Sequence, residues 1–349
     1  MKDSVCAVVV TYNRKNLLME CLEALRKQTR PIQGIYLIDN ASTDCTPELL
    51  LKKGYITELP PQKLEKPWEK EFEIKSSISA SSIKLHYVRM HENVGGAGGF
   101  YEGVKRGYEK GYDWLWLMDD DAEPKEDALE ILSLYFDKKD VVGLAGTVLL
   151  LNGDICTPTR GRINLKRIYP LIQIPIDVRE YIKETIEIDM ASFVGLLVKK
   201  EAIEKVGFPK KEFFIYHDDV EYSIRLRSIG KILLVTRSVI IHKGTPGKKS
   251  LTKTFLGKKF YRVEFNKLWL SYYSIRNLCW LGKMYSKNKF VFYLQTMNRI
   301  IKSIIGIILF DDFKYKRIML ILNAYLDGLR GNFDNSKPRK ILYGNDYQK

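Results

Sequence analysis

Apolar runs of strand length alternate with amphipathic segments through the first two thirds of the chain. Val5 to Val10 is one such run and reads as a strand, after which Asn16 to Lys27 places Leu17, Leu18, Cys21, Leu22 and Leu25 on one helical face. Gly34 to Asp39 reads as the second strand, and Thr46-Pro47-Glu48 opens a helix with proline at its first position. Lys84 to Arg89, Trp114 to Met118 and Val141 to Ala145 continue the strands, with a helix from Gly99 to Lys110. This alternation predicts an α/β fold in which parallel strands are joined by helices.

Ser192 to Val198, Ile232 to Val235 and Ile240 to His242 are further short apolar runs, and Val220 to Ile229 reads as a helix. From Thr252 onward the periodicity is helical and the residues are aromatic and basic. The pattern therefore divides into an α/β part, residues 1–245, and a mainly helical part, residues 246–349. Residues 55–82, rich in Lys, Glu, Pro and Ser, read as a surface insertion. Phe290 to Phe310 is interrupted by Gln295, Asn298, Arg299 and Lys302, which share one helical face, so it reads as amphipathic rather than membrane-spanning. Such a helix packs on its own domain, lies on a membrane, or meets another subunit in a homo-oligomer.

Charge sharpens that picture. Residues 1–242 carry 35 Lys+Arg against 36 Asp+Glu, whereas residues 243–290 carry 12 against 1. A basic excess confined to the C-terminal part suits an anionic partner there, and residues 246–310 are the stretch expected to face an anionic membrane surface. The five cysteines are scattered without a CxxC pair, which disfavours a disulfide scaffold or a zinc site. The N-terminal apolar run lacks a signal-peptide pattern, so the expected location is cytoplasmic, peripheral to the inner face of the cell membrane.

Two acidic clusters carry the candidate chemistry. Asp119-Asp120-Asp121 follows a buried strand, and neighbouring carboxylates raise one another's pKa unless a cation neutralises them. A hard divalent ion would do so; the other reading is an acidic loop capping the next helix at Glu123-Pro124. Asp218 and Asp219 open the helix that follows Tyr216-His217, where one serves as a cap and the other is free to act as a general base. Between the clusters, Asn93-Val94-Gly95-Gly96-Ala97-Gly98-Gly99 reads as a loop short of side chains, which another backbone or a ligand approaches closely. It does not satisfy GxGxxG, and the turn Thr11-Tyr12-Asn13-Arg14 has no glycine, so a nicotinamide-binding domain is disfavoured. Asp39 and Asn40 end the second strand at the edge where open α/β sheets bind ligands, and Asp44 follows as an Asx-turn or ligand contact. His242 ends a late strand and could complete a metal site; His86, His91 and His217 read as structural.

Taken in order, VVVTYNR, LIDNASTD, NVGGAGGF, WLWLMDDDAEP, HDDVEYSIR and His242 resemble the inverting family 2 glycosyltransferases with a GT-A fold. NVGGAGGF with WLMDDD is most similar to the galactofuranosyltransferase branch, with rhamnosyltransferases close by. The resemblance covers roughly residues 4 to 245, and Tyr272-Tyr273-Ser274-Ile275-Arg276-Asn277 adds a YYxxRN-like motif beyond it. It implies a Rossmann-like, mostly parallel sheet with flanking helices. It also implies that Asp39 holds a uracil or thymine ring beside Thr11, Tyr12 and Arg14, while Asn93, Gly95, Gly96 and Gly98 approach the donor sugar and diphosphate. Asp119 and Asp121 would hold Mn2+ or Mg2+ with His242, Asp120 would contact the ribose or donor sugar, Asp219 would be the catalytic base, and Asp218 would support the acceptor.

The expected reaction is therefore a single inverting displacement from a UDP- or dTDP-sugar onto a glycan or lipid-linked acceptor. Galactofuranose from UDP-galactofuranose is the leading donor, as in bacterial-type cell-surface polysaccharide synthesis, and dTDP-rhamnose is the alternative. A metal-dependent nucleic-acid enzyme would explain the carboxylates and the basic tail but not the glycine segment or the order of motifs, so nucleic acid is a disfavoured partner. A nucleotide- or glycan-binding subunit without catalysis is disfavoured by the intact acids at both clusters.

Overall fold

The computed structural model describes residues 3–169, 172–244, 250–255 and 258–344. The chain forms two compact units. The first comprises residues 1–163, 173–211 and 218–244; the second comprises 164–172, 212–217 and 245–349. The second unit thus takes two short segments from before the expected boundary at residue 245.

In the first unit the elements run β1 (Val5–Thr11), α1 (Lys15–Arg26), β2 (Gly34–Asp39), α2 (Thr46–Lys52), β3 (Trp68–Lys75), β4 (Ser82–Arg89), α3 (Gly95–Lys110), β5 (Trp114–Asp119) and β6 (Ala122–Pro124). They continue with α4 (Ala128–Ser133), β7 (Val141–Leu150), β8 (Arg160–Ile163), β9 (Gln173–Pro175), β10 (Thr185–Ile188), β11 (Met190–Ala191), β12 (Leu196–Lys199), α5 (Lys200–Val206), α6 (Asp218–Arg227) and β13 (Lys231–His242). The main sheet has the order β10-β13-β7-β12-β5-β1-β2-β4-β3, with β6 pairing β13. β5, β1, β2 and β4 are mutually parallel, as the alternating pattern requires, and β12 is inserted antiparallel beside β5.

Every residue of β1 is buried, because both faces of the sheet are covered. Val5, Ala7 and Val9 enter one apolar core, while Cys6, Val8 and Val10 enter the other. The period of two thus shares one strand between two cores. Residues 55–82 are not wholly an insertion on the surface: they include β3, which pairs antiparallel with β4 and sends Phe72 and Ile74 into the core. Nor does a helix begin at Glu123-Pro124. That segment is drawn into β6 by its pairing with Ile240 and Ile241, and the helix waits until Ala128.

The glycine segment is likewise helical from Gly95 onward. A Cβ on Gly99 would stand 2.5 Å from Val10 Cγ1, and one on Gly103 2.2 Å from Val8 Cγ1, so glycine at this spacing lets α3 settle directly on β1. The close approach expected from the sequence is in this part an approach to the sheet.

The second unit contains α7 (Leu268–Tyr285), α8 (Lys289–Phe310), α9 (Lys314–Arg330) and α10 (Lys337–Tyr343), preceded by the antiparallel pair β14 (Ser250–Phe255) and β15 (Lys258–Val263). Leu268, Tyr272, Tyr273, Leu320, Ala324 and Leu342 form its core. Arg262 and Arg317 pair with Asp311, and Tyr272 donates to Asp327. Among the described residues no helix is long and apolar enough to cross a membrane.

Candidate active site

The site grows from the register of three adjacent strands. Thr11 of β1 lies opposite Asp39 of β2, and Val10 opposite Asp119 of β5, so the carboxyl ends of β2, β1 and β5 stop side by side. Open parallel sheets bind ligands at such an edge. The turn after β5 then folds back, and Thr11 Oγ1 donates to Asp120 Oδ2 at 2.7 Å. Arg14, at the start of α1, donates to Asp121 Oδ2 at 2.6 Å and reaches Asp120 Oδ1 at 3.4 Å.

His242 reaches this cluster through long-range pairing. β13 runs antiparallel to β6 with His242 opposite Ala122, which places the imidazole Nε2 3.1 Å from Asp121 Oδ1. Burial pushes Asp119 up to about 7, helped by the charges of Asp121 and Asp120. Burial also lifts Asp120 to about 6 against the pull of Thr11 and Arg14. At Asp121 burial is outweighed by His242 and Arg14, which hold the carboxyl below its ordinary value. The contact with Asp121, and then that with Cys156, raises the His242 imidazole to about 10.

Whether this cluster suits a divalent cation can be read from its atoms. Among the described residues no three His, Cys, Asp or Glu side chains converge as a ready ligand group. Two features nevertheless accommodate an ion. Asp121 Oδ1 is buried without a hydrogen-bond donor, since His242 lies off the line of such a bond. Gly244 leaves a space that a Cβ would fill, 2.8 Å from His242 Nε2 and 3.1 Å from Asp121 Oδ2. The carboxylate oxygens match the preferences of Mn2+ or Mg2+, and an imidazole is a common metal ligand beside them.

The expected nucleotide-binding residues sit at the same edge, in varied states. Asp39 is completely buried, and its carboxylate already accepts from Tyr87 Oη at 2.8 Å, Arg89 Nη1 at 2.5 Å and the Ser42 amide at 2.9 Å. In this conformation it organises the turn after β2 through these three donors. Asn40 holds the start of α3, accepting from the Val94 amide at 3.0 Å and donating to Gly95 O at 2.9 Å. Asn93 accepts from the Gly95 amide. Gly95 takes φ +75°, Gly98 makes room for Val94, and Gly96 faces open space. Tyr12 is exposed. Asp44 caps α1 from outside, accepting from the Lys15 amide.

The second acid cluster opens α6. Asp219 Oδ1 accepts from the amide of Val220, and burial raises the Asp219 carboxyl to about 6. Asp218 is raised well above the usual range by burial, then by Asp219, with a further contribution from Asp119. The two clusters therefore share an electrostatic environment. Of the pair, Asp219 is the carboxyl that ionises near neutrality.

Arg160, the first residue of β8, is wholly buried. Its guanidinium donates to the carbonyls of Gly146, Thr159 and Val194 at 2.8–2.9 Å; burial lowers its pKa to about 10, opposed in part by Tyr181, Cys156 and Asp219. Gly244 and the Tyr87–Arg89 pair were unmarked in the sequence. His86 is structural as expected, stacked on Tyr36.

The chain is similar to several known proteins. The model of the family described as "Glycosyl transferase family 2" matches residues 6–56 and 72–207. The chain is 27% identical over 228 residues to "Galactofuranosyltransferase GlfT1" of Mycobacterium tuberculosis (strain H37Rv), a match covering 65% of each protein. It is 25% identical over 229 residues to the Mycolicibacterium smegmatis protein of that name, covering 64% of this chain and 65% of the relative. Among solved structures, S. aureus TarS in complex with UDP superposes with TM-score 0.53 at 12% identity, over 98% of this chain and 86% of that one. GalNAc-T7 with UDP, GalNAc and Mn2+ gives 0.50 at 14% identity, over 69% and 44%. These likenesses show the fold, which is GT-A. The family model spans more than half of the sequence, and the chain belongs to glycosyl transferase family 2.

Proposed function

We propose that this glycosyltransferase moves galactofuranose from UDP-galactofuranose onto a glycan or lipid-linked acceptor with inversion, in the synthesis of a bacterial-type cell-surface polysaccharide. The observation that carries the reading is the pair of acid clusters, the triple aspartate that ends β5 and the two buried carboxyls that open α6, Asp218 and Asp219, both raised above their ordinary range by burial. The galactofuranosyltransferase relatives support the donor sugar, and the UDP complex of TarS supports the base.

In this mechanism Asp219 takes the proton of the acceptor hydroxyl as its oxygen attacks the anomeric carbon from the face opposite the nucleotide. A carboxyl raised to about 6 is ionised at neutral pH yet basic enough to accept that proton. Asp218, beside it in the chain, supports the acceptor. Asp119, Asp121 and His242 would hold Mn2+ or Mg2+, which when bound stabilises charge on the diphosphate. Arg14 is half-exposed beside the same carboxylates and is placed to meet the phosphates. The N-terminal end of α3 at Gly96, which faces open space, favours a phosphate through the helix dipole.

The second unit carries an exposed apolar helix face. Phe290, Tyr293, Met297, Ile301, Ile305 and Ile308 form an exposed apolar stripe along α8. With 12 Lys+Arg against 1 Asp+Glu in residues 243–290, this face suits an anionic bilayer that presents a lipid-linked glycan, at the inner face of the membrane. Release of UDP or dTDP from a panel of UDP- and dTDP-sugars with Mn2+ tests the donor. Turnover of UDP-galactofuranose is expected; selective use of dTDP-rhamnose would replace the donor assignment.

A further inference from the structure

The segment that delivers the proposed base is held in an uncommon conformation. Phe214, Tyr216 and His217 have φ of 63°, 70° and 65°, a region that residues with a Cβ seldom enter unless surroundings enforce it. His217 is followed in the chain by Asp218 and Asp219. Such an arch exposes its carbonyls unevenly, and a fixed donor must gather them.

Asn277 of α7 is that donor. It is completely buried, and its Nδ2 lies 3.0 Å from Phe213 O, 3.0 Å from Ile215 O and 2.9 Å from Tyr216 O. Its amide is oriented by Arg276, whose Nε donates to Asn277 Oδ1 at 3.0 Å. Arg276, also completely buried, spends the rest of its guanidinium on Glu212 O, Phe213 O and Asn335 Oδ1. One more side chain of α7 joins in: Tyr273 stacks on Phe214 with ring centroids 4.8 Å apart. Two buried polar residues adjacent in sequence thus serve the backbone of a single six-residue segment. Helix packing alone would be met more simply by apolar side chains.

We propose that Asn277, oriented by Arg276, is a positioning residue for the general base: it fixes the left-handed arch of residues 213–217, and through the chain the placement of Asp218 and Asp219. This rests on the reading of Asp219 as base.

The test compares Asn277→Ala, Asn277→Asp and Asp219→Asn in the full chain. Asn277→Asp keeps shape and volume but removes the donor, so it serves if the alanine variant fails to fold. The primary readout needs no substrate: titration of the Asp219 carboxyl by 13C NMR, assigned by its loss in Asp219→Asn. Release of the arch lets water reach the carboxyl, and the midpoint is expected to fall from near 6 towards the ordinary 3.8. UDP release from UDP-galactofuranose is the second readout, where kcat should fall roughly a hundredfold with donor KM unchanged. An unchanged titration in both folded Asn277 variants overturns the proposal, as does a rise in KM without loss of kcat. Asp219→Asn separates the two readings: if it retains turnover, the base assignment fails whatever the Asn277 variants do.

Discussion

His242 Nε2 stands 3.1 Å from Asp121 Oδ1 because the end of β13 pairs with the three-residue strand that follows the triple aspartate. Asp121 is thereby flanked by His242 on one oxygen and Arg14 on the other, two positive groups on one buried carboxylate. Replacing Asp121 by Ala removes the acid that both address. Calorimetric titration of UDP should then show the Mn2+-dependent part of the affinity lost, while binding without Mn2+ changes little. Unchanged affinity in Mn2+ would take Asp121 out of the cation site.

Asp219→Asn separates catalysis from stability. Loss of a positioned base should lower turnover about a hundred to ten thousandfold while leaving donor affinity in place. In the wild type, turnover should rise with pH through a midpoint near 6, where Asp219 ionises.

The same shift has a thermodynamic side. Since the folded-state pKa is raised above 3.8, the fold retains a proton that the unfolded chain releases, and this carboxyl makes stability fall as pH climbs from about 4 to about 6. Asparagine carries no such charge. The variant should therefore melt above the wild type at pH 7.5, an advantage that shrinks towards pH 4. Thermal melts across that range would reveal it, and parallel curves would contradict a strained, buried base.

How far these features could be read in advance depended on their range along the chain. The strands of the parallel sheet and the edge holding Thr11, Asp39 and Asp119 follow from local periodicity, because both cores draw on a strict alternation of residues. The helical start of the glycine segment was hidden because glycine is a poor helix former, yet here its missing Cβ admits Val10 and Val8. β3 was hidden by charge, since only alternate residues of WEKEFEIK are buried at the sheet edge. Arg160 was illegible for another reason. A buried guanidinium satisfied by backbone carbonyls leaves no partner residue in the sequence to announce it.

The glycines of α3 divide into two kinds, and alanine distinguishes them. Gly103→Ala drives a methyl to within 2.2 Å of Val8 Cγ1 and should cost about 1–3 kcal/mol, read as a lower midpoint in urea. Gly96→Ala meets nothing within 4 Å and should leave stability equal or better, by up to about 1 kcal/mol. If the donor lies against this turn, the same methyl should raise donor KM. A Gly96 variant with both properties unchanged would place the donor elsewhere.

The apolar stripe on α8 gives the last prediction. Met297 is 56% exposed and Ile301 49%, one helical turn apart, so a charge there should not disturb the core of the unit. If the face rests on an anionic bilayer, Ile301→Glu puts a carboxylate among lipid tails and phosphates, and both its desolvation and its repulsion oppose binding. Flotation with phosphatidylglycerol vesicles at low salt should capture the wild type and lose much of it at high salt, because the basic residues before α8 act through screened charge. The Ile301→Glu variant should stay in the soluble fraction at both salt concentrations while melting like the wild type. Wild-type protein that ignores vesicles at low salt would remove the membrane from the proposal. Self-association that the glutamate abolishes would then assign the stripe to a second copy of the chain.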